Sequence, residues 1–569
     1  MKTLRVSDNL PESLVEHVSE ELARGGLWTA YSLETPTGLK AIDSPYEPRG
    51  EATRTLLKAG CKPGTPLLLL GSGSGYFTRT ALEEGYTPAL AVVRSRALLD
   101  ANVKRINRRF ADASEEMSLV ADDDPARVWR DHVQPFLDRY PDAVIVRHPR
   151  ETKAFPGFYG ALDVHVARHH TAEPARATDP AIRRVLFVGS GGLYERELLS
   201  ELQRRSIHVT HIQQTALTGL NATSALDLLN THTPDLVLST NNRGSDEIGL
   251  LPEACEQAGV AWATWLLDDP RFLLHPDEIH GAGRQRIGFC WDRNGIDGWR
   301  DAGFPNAHPL PLATDETLFK PGDGFAELTG RVVFVGSPRF ASTFGFFAAL
   351  DKSEIAGKAA RALETEILRT RQPPAHERVD ELLGTLDPEK TLDLEAKRRL
   401  PAYAVQQANL AYRVNLLNSL ASNHLTVFGM GWEGLLDERI ELREPLDFYT
   451  DLPKLYRTDA VHISLTNLQM QTHPNQRPFD VGACGRAVLN DDLAALPELF
   501  GAELADRIAF TSAADLQTKV SELIAKPSLR AEIGERMRKA VLEGHTVRHR
   551  VNEMLRVSEQ RRSDWSGGK

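Results

Sequence analysis

Between Thr458 and Leu493 the chain runs strand, polar loop, helix, strand, an order and spacing that few folds accept. Ala460–Leu465 is a short apolar run with the length and β-branched content of a buried strand. A loop rich in His, Asn and Gln follows. Pro474–Asn475 then marks a helix start, and Arg477, Phe479, Asp480, Ala483 and Cys484 recur at helical spacing up to Gly485, a natural stop. A second apolar run, Ala487–Leu489, leads into Asn490–Asp491–Asp492. Such a unit puts a helix N-terminus at the carboxyl edge of a parallel sheet. Free backbone N–H groups and the helix dipole favour an anion there, and phosphorylated ligands above all.

The same alternation recurs upstream. Leu67–Leu70 leads into Gly71–Ser72–Gly73–Ser74–Gly75–Tyr76 and a helical pattern, and Ala89–Val93 is the next strand candidate. Its end carries Arg94–Ser95–Arg96, where a dinucleotide or S-adenosylmethionine site needs an acidic residue for the ribose. Thr171–Pro180 is polar and proline-bearing and reads as a linker. Val185–Val188 opens a second series, followed by Gly189–Ser190–Gly191–Gly192 and a helix over Leu193–Arg204. Strands are expected at Val209–Ile212, Leu236–Leu238, Val260–Leu267, Ile287–Trp291 and His308–Leu312, with helices around Ser224–Leu229 and Glu247–Ala258. A third series starts at Arg331–Val335, followed by Gly336–Ser337–Pro338–Arg339. Small residues beside an Arg suit a pyrophosphate. Residues 352–422, rich in Ala, Leu, Glu, Lys and Arg with a break at Pro373–Pro374, predict a helical insertion. Further strands are expected at Leu425–Phe428, Leu442–Leu446 and Asp506–Phe510, and a helix at Asp451–Arg457. Alternation at this spacing predicts parallel sheets with right-handed crossovers, an α/β fold.

A chain of 569 residues needs more than one core. A net charge of −11 disfavours nucleic acid as a partner. No apolar run approaches the ~20 residues of a membrane helix, and the N-terminal segment lacks the apolar core of a secretory signal. Cys61, Cys255, Cys290 and Cys484 are scattered singly, as expected for reduced, buried thiols of a cytoplasmic protein.

Arg477–Gly485, RPFDVGACG, resembles the R-x-F-E/D-x-x-A-x-G segment of GT-B glycosyltransferases, and in particular of the group related to spore maturation protein CgeB. Further likenesses follow in the family's order. They are Trp265–Arg271 (WLLDDPR), the hinge phrase Leu310–Asp315 (LPLATD), Phe334–Ser337 (FVGS), Phe428–Trp432 (FGMGW) and His545–Arg550 (HTVRHR), so the resemblance spans about residues 180–560. Ala41–Ala52 and the GSGSGY turn are similar to the N-terminal region of motility-associated flagellin glycosyltransferases.

The resemblance implies two Rossmann-like domains facing across a cleft: an acceptor-side domain over 181–325, and a donor domain over 326–545 that contains the insertion. It adds an N-terminal α/β domain over 1–175 and a crossing-back helix and tail over 546–569. It implies a nucleotide-diphosphate sugar as donor substrate, no cofactor and no metal. The acceptor would be a protein, flagellin among the options, or a surface glycan; homo-oligomerisation stays open. Asp480 would hold the ribose. Arg477, Arg339, Gly336, Ser337, Gly429, Gly431, Trp432, His473, Asn475, Gln476, Gly189 and Gly191 complete the donor-binding set. Asp269, or else its neighbour Asp268, would act at the reacting centre as a base on the acceptor hydroxyl. The earlier Glu of retaining GT-B enzymes falls on Thr472, so the usual acidic pair is absent. The alternatives are a nucleotide- or S-adenosylmethionine-dependent enzyme centred on Gly71–Tyr76, and a GT-B-like scaffold without turnover.

Overall fold

Strands short and apolar enough to be covered on both faces assemble into three parallel sheets, one after another along the chain. The computed structural model describes residues 5–10, 18–22, 29–35, 38–107, 117–171, 179–245, 249–269, 286–301, 304–338, 347–388, 392 and 394–567. Arg339 and Pro270–Arg271 therefore lie outside the described residues.

The first unit holds β1 (Arg5–Asp8), β2 (Val18–Leu22), β3 (Thr29–Thr35), β4 (Gly38–Ala41), β5 (Leu67–Leu70), β6 (Ala89–Val93), β7 (Met117–Ala121) and β8 (Val144–Arg147). Its parallel sheet has the order β1-β7-β6-β5-β8, beside an antiparallel β2-β3-β4. Every residue of β5 and β6 is buried, as continuous apolar runs require. The second unit runs β9 (Arg184–Gly189), β10 (His208–Gln213), β11 (Leu236–Thr240), β12 (Ala261–Leu266), β13 (Arg286–Cys290) and β14 (Asn306–Pro309), in the order β10-β9-β11-β12-β13-β14. The third comprises β15 (Val332–Val335), β16 (Leu425–Phe428), β17 (Glu441–Arg443), β18 (Val461–Ser464), β19 (Val488–Asp491) and β20 (Ala509–Phe510), in the order β17-β16-β15-β18-β19-β20.

Between β15 and β16 the described residues form one short helix, Ala348–Asp351, and three longer ones, Glu354–Thr370, His376–Leu386 and Leu394–Ser419. Ala356, Ala359, Leu363 and Ile367 pack against Leu400, Ala404, Val405 and Ala408 in a core of their own. The last helix then runs down onto the third sheet, where Leu416 and Leu417 join its core. Two expectations shift. Asp506–Phe510 is mostly helix: Ala502–Ile508 is helical because Leu504, Ala505 and Ile508 bury one face, and only Ala509–Phe510 pairs with β19. The edge strand expected at Leu442–Leu446 pairs only over Glu441–Arg443.

The units are tied at several places. In helix Pro156–His170, Phe158, Tyr159, Leu162 and Val166 pack under the first sheet, while Val164 packs with Leu186, Val188 and Leu251 of the second unit. The hinge is strapped from behind: Thr314 bridges Thr546, and the Arg550 guanidinium donates to Pro311 O (2.7 Å) and Leu312 O (3.0 Å). The final helix, Val547–Gly567, crosses back to the second unit, where Arg562 donates to Pro180 O and Ala181 O at 2.9 Å each. Loops beyond the carboxyl ends of β12 and β13 meet the loop beyond β18, so the second and third sheets present their carboxyl edges to each other. Two Rossmann-like units thus face each other as the resemblance implies, with an additional α/β unit before them.

Val164→Asp would bury a charge between the first two units. It is expected to lower unfolding stability by about 2–4 kcal/mol, read as an earlier urea midpoint; an unchanged midpoint would show that the contact does not hold the units together.

Candidate functional site

Open parallel sheets bind ligands where successive connections leave in opposite directions, at the carboxyl ends of the two central strands. Each sheet here has one such crevice. It lies between β5 and β8 in the first unit, between β9 and β11 in the second, and between β15 and β18 in the third. The backbone amides at these turns attract an anion.

Two crevices are filled by the protein's own carboxylates. In the first, Glu151 Oε2 accepts the amides of Ser72 and Gly73 at 2.8 Å each, and its other oxygen accepts the Tyr159 hydroxyl at 2.5 Å. Asp43 takes the Ser74 amide at 3.2 Å, so Ala41–Ala52 and the GSGSGY turn form one closed structure. Burial pushes the Glu151 carboxyl up to about 7 and the adjacent His148 down to about 3. In the second crevice, Glu195 accepts the amides of Ser190 (2.9 Å) and Gly191 (2.8 Å) and the Thr240 hydroxyl (3.3 Å). A β-carbon on Gly189 would lie 2.6 Å from Glu195 Oε2. Gly189 and Gly191 therefore cradle a side chain of their own helix.

The third crevice is lined with guanidinium groups instead. Among the described residues no carboxylate takes the Ser337 amide. Arg477 lies partly buried beside Gly336, with its Nη1 3.5 Å from Leu465 O and its guanidinium carbon 5.5 Å from the Phe334 ring centre. Arg413 Nη1 donates to Ser337 O at 2.9 Å. Burial pushes both guanidinium groups down, Arg413 to about 9. Trp432 is fully buried, and its indole N–H donates to Gly336 O at 2.7 Å. Gly429, at φ 155°, lets the next turn approach: a β-carbon there would stand 2.3 Å from Gly336 O. Gly431 has φ 84° and lies against Pro338. Asn475 receives the Arg477 amide (2.9 Å) and donates to Leu465 O (3.1 Å), so it shapes the loop, with Gln476 next to it capping helix Arg477–Ala483.

Asp480 sits in that helix, buried at the hinge. Thr314 Oγ1 donates to its Oδ1 at 2.7 Å, while Oδ2 is buried with no hydrogen-bond partner among the described residues. Burial drives this carboxyl well above its usual range.

A second cluster joins the facing edges. Asp268 accepts from the Gln469 amide across the cleft (2.8 Å) and from Asn241 (3.0 Å); burial pushes its carboxyl up to about 6. The Asp269 amide faces Gln469 Oε1 at 3.4 Å, and both aspartates line a pocket with Trp291, Asp292 and Gln471. Asp292 clasps the opposite loop, accepting the amides of Gln471 (2.6 Å) and Thr472 (2.8 Å) and the Thr472 hydroxyl (2.5 Å). The Trp291 indole donates to Pro474 O at 2.9 Å. Burial alone would raise the Asp292 carboxyl, but hydrogen bonds from His473, Thr472 and Asn294 outweigh it and hold the group well below the usual carboxylate range. Thr472, where retaining relatives place a Glu, is thus a ligand of the opposite domain. His473 is buried beside it, with its Nδ1 2.8 Å from Thr472 Oγ1.

Sequence reasoning singled out Asp480, Arg477, Gly336 and Ser337 around one crevice and Asp268 and Asp269 around another pocket. It missed Asp292, Glu195, Glu151 and Arg413. The Arg at the end of a long helix carried no local signal, and Asp292 carried only its place at a strand's carboxyl end.

Residues 412–556 match a family model described as glycosyl transferase-like. That span runs from the end of the last inserted helix through the third sheet to the crossing-back helix. No curated protein matches the chain. Among solved structures, HepE of Anabaena in complex with UDP-glucose is similar at 12% identity and a TM-score of 0.37, over 68% of this chain and 100% of that one. SnogD, a glycosyltransferase from Streptomyces nogalater, is similar at 11% identity and a TM-score of 0.31, over 66% of this chain and 99% of that one.

The clasp makes a pH-dependent prediction. Because the folded-state pKa of Asp292 is depressed, its contribution is complete above about pH 4, where an unfolded aspartate ionises, and is lost as pH falls further. Asp292→Asn should lower urea stability at pH 7 by about 1.5–3 kcal/mol, with the difference from the parent shrinking at pH 3. An equal difference at both pH values would contradict the assignment.

Proposed function

We propose that the chain is a glycosyltransferase that moves a sugar from a nucleotide-diphosphate sugar to a hydroxyl of a protein or surface-glycan acceptor. One observation carries the reading. Of three equivalent crevices, two are closed by internal carboxylates and the third is lined with two guanidinium groups, Arg413 buried and Arg477 partly buried. The glycosyl transferase-like match falls on the domain that holds the third.

In this reading the diphosphate lies against Gly336–Ser337 and Arg477. The Asp480 oxygen that has no protein partner receives a ribose hydroxyl. The bond from the anomeric carbon to the diphosphate oxygen breaks, and a bond from that carbon to the acceptor oxygen forms. Positive side chains offset the charge gathering on the leaving diphosphate. In an inverting reaction the acceptor proton passes to Asp269; in a retaining one it passes to the departing diphosphate. No metal or cofactor is part of the proposal. Flagellin as acceptor rests on the N-terminal resemblance alone. A nucleotide site at Gly71–Tyr76 is disfavoured because Glu151 occupies the amides a phosphate would need.

A panel of nucleotide sugars tests the reading: the full-length protein should release nucleoside diphosphate from at least one of them. Arg477→Ala should weaken donor binding about ten- to hundredfold. Asp480→Ala should raise the donor Kd and leave slow turnover at saturating donor. If no nucleotide sugar is bound or consumed, the proposal is wrong.

Asp269→Asn should spare donor affinity and lower turnover about 10²–10⁴-fold. If it turns over at the parent rate, the assignment of Asp269 fails, and the better reading is either Asp268, whose ionisation would make activity rise through about pH 6, or a retaining route assisted by the diphosphate.

A further inference from the structure

The inserted helices reach the third crevice from behind. Arg413, near the end of helix Leu394–Ser419, is 3% exposed and donates to Ser337 O, while its Nε has no hydrogen-bond partner among the described residues. Arg371, the residue that ends helix Glu354–Thr370, pairs with Asp491 at 2.5 Å, and Tyr412 lies 3.4 Å from the same carboxylate oxygen. Asp491, at the carboxyl end of β19, accepts the Thr466 amide at 3.0 Å through its other oxygen. Arg477 stands close enough to Arg413 that its charge adds to the cost of burying Arg413. Arg371 pairs with Asp491, whereas among the described residues no carboxylate forms an ion pair or hydrogen bond with Arg413 or Arg477. Positive charge at this water-poor turn therefore exceeds the carboxylates that touch it. Buried cations of this kind are costly unless an anion joins them.

We propose that Arg413 is a second cation of the diphosphate site, supplied by the helical insertion, and that Arg371, Tyr412 and Asp491 position it. The inference rests on the donor reading above and deepens it. A diphosphate carries two or more negative charges, which matches the excess. It also gives the insertion a part in donor binding; the expectation from sequence was contact with acceptor or partner. Arg413 already pins the Ser337 carbonyl, so an anion at that turn would meet a fixed backbone and a fixed charge together.

The test uses full-length protein with inorganic pyrophosphate, inorganic phosphate and the diphosphates of uridine, guanosine, thymidine, adenosine and cytidine, titrated calorimetrically. Pyrophosphate and at least one nucleoside diphosphate should bind more tightly than phosphate. Arg413→Met should weaken both by about tenfold or more, while its thermal midpoint without ligand equals or exceeds the parent's, because an uncompensated buried charge has gone. Arg413→Lys should recover part of the affinity. Parent-like affinity in Arg413→Met, with Arg477→Ala still impaired, would overturn the role of Arg413 and leave the donor reading standing. A loss of affinity accompanied by a lower midpoint and not recovered by Lys would make Arg413 a structural residue and overturn it as well. A parent protein that binds neither pyrophosphate nor any nucleoside diphosphate would overturn both.

Discussion

Backbone amides at the carboxyl edge of a parallel sheet need an acceptor, and what meets that need differs among the three sheets of this chain. Glu151 fills the first crevice and Glu195 the second, each through two amide hydrogen bonds to its own glycine-rich turn. Such a carboxylate does for the turn what a phosphate would do, without leaving. In the third crevice the surrounding side chains are arginines, so the need for negative charge is increased. The same fold element is therefore a closed structural joint twice and, in the proposed reading, an anion site once.

Relative placement of the two facing domains depends on a different set of contacts. Asp292 and Trp291 hold the loop Gln471–Pro474, and Asp268 holds Gln469. Behind them, Thr314 and Arg550 tie the hinge to the segment that starts the last helix. A donor at Gly336–Ser337 and an acceptor at Asp269 would be brought together by that frame. Asp292 uses its charge on backbone amides, where it orders the loop that carries Thr472 and leads to Asn475 and Arg477.

Much of the frame was legible from local pattern. Leu67–Leu70, Ala89–Val93 and Leu425–Phe428 form strands with the expected bounds, because continuous apolar runs between turn residues have few other solutions. The helix after Pro474 and its stop at Gly485 followed from spacing and from the residue types. Val18–Leu22, VSEEL, was invisible as a strand because polar residues dominate it; its pairing with Thr29–Thr35 supplies what propensity lacked. Ala502–Ile508 hid a helix within what was expected to be a strand, since Leu504 and Ile508 suit either period. The site was legible in part. Arg477 and Asp480 lie on one short helix and share a motif. Glu151 reaches a turn 79 residues upstream, and Arg413 meets Ser337 across 76 residues. Asp292 acts on a loop of another domain. Pairings of that range depend on topology, which spacing alone does not reveal.

Hydrogen–deuterium exchange of the full-length protein, with and without the nucleoside diphosphate that binds it best, tests the central claim most directly. The account predicts new protection in peptides covering 332–338 and 464–480, with exchange unchanged at 70–76 and 189–192. Protection at 70–76 or 189–192, with the third crevice unaffected, would contradict it.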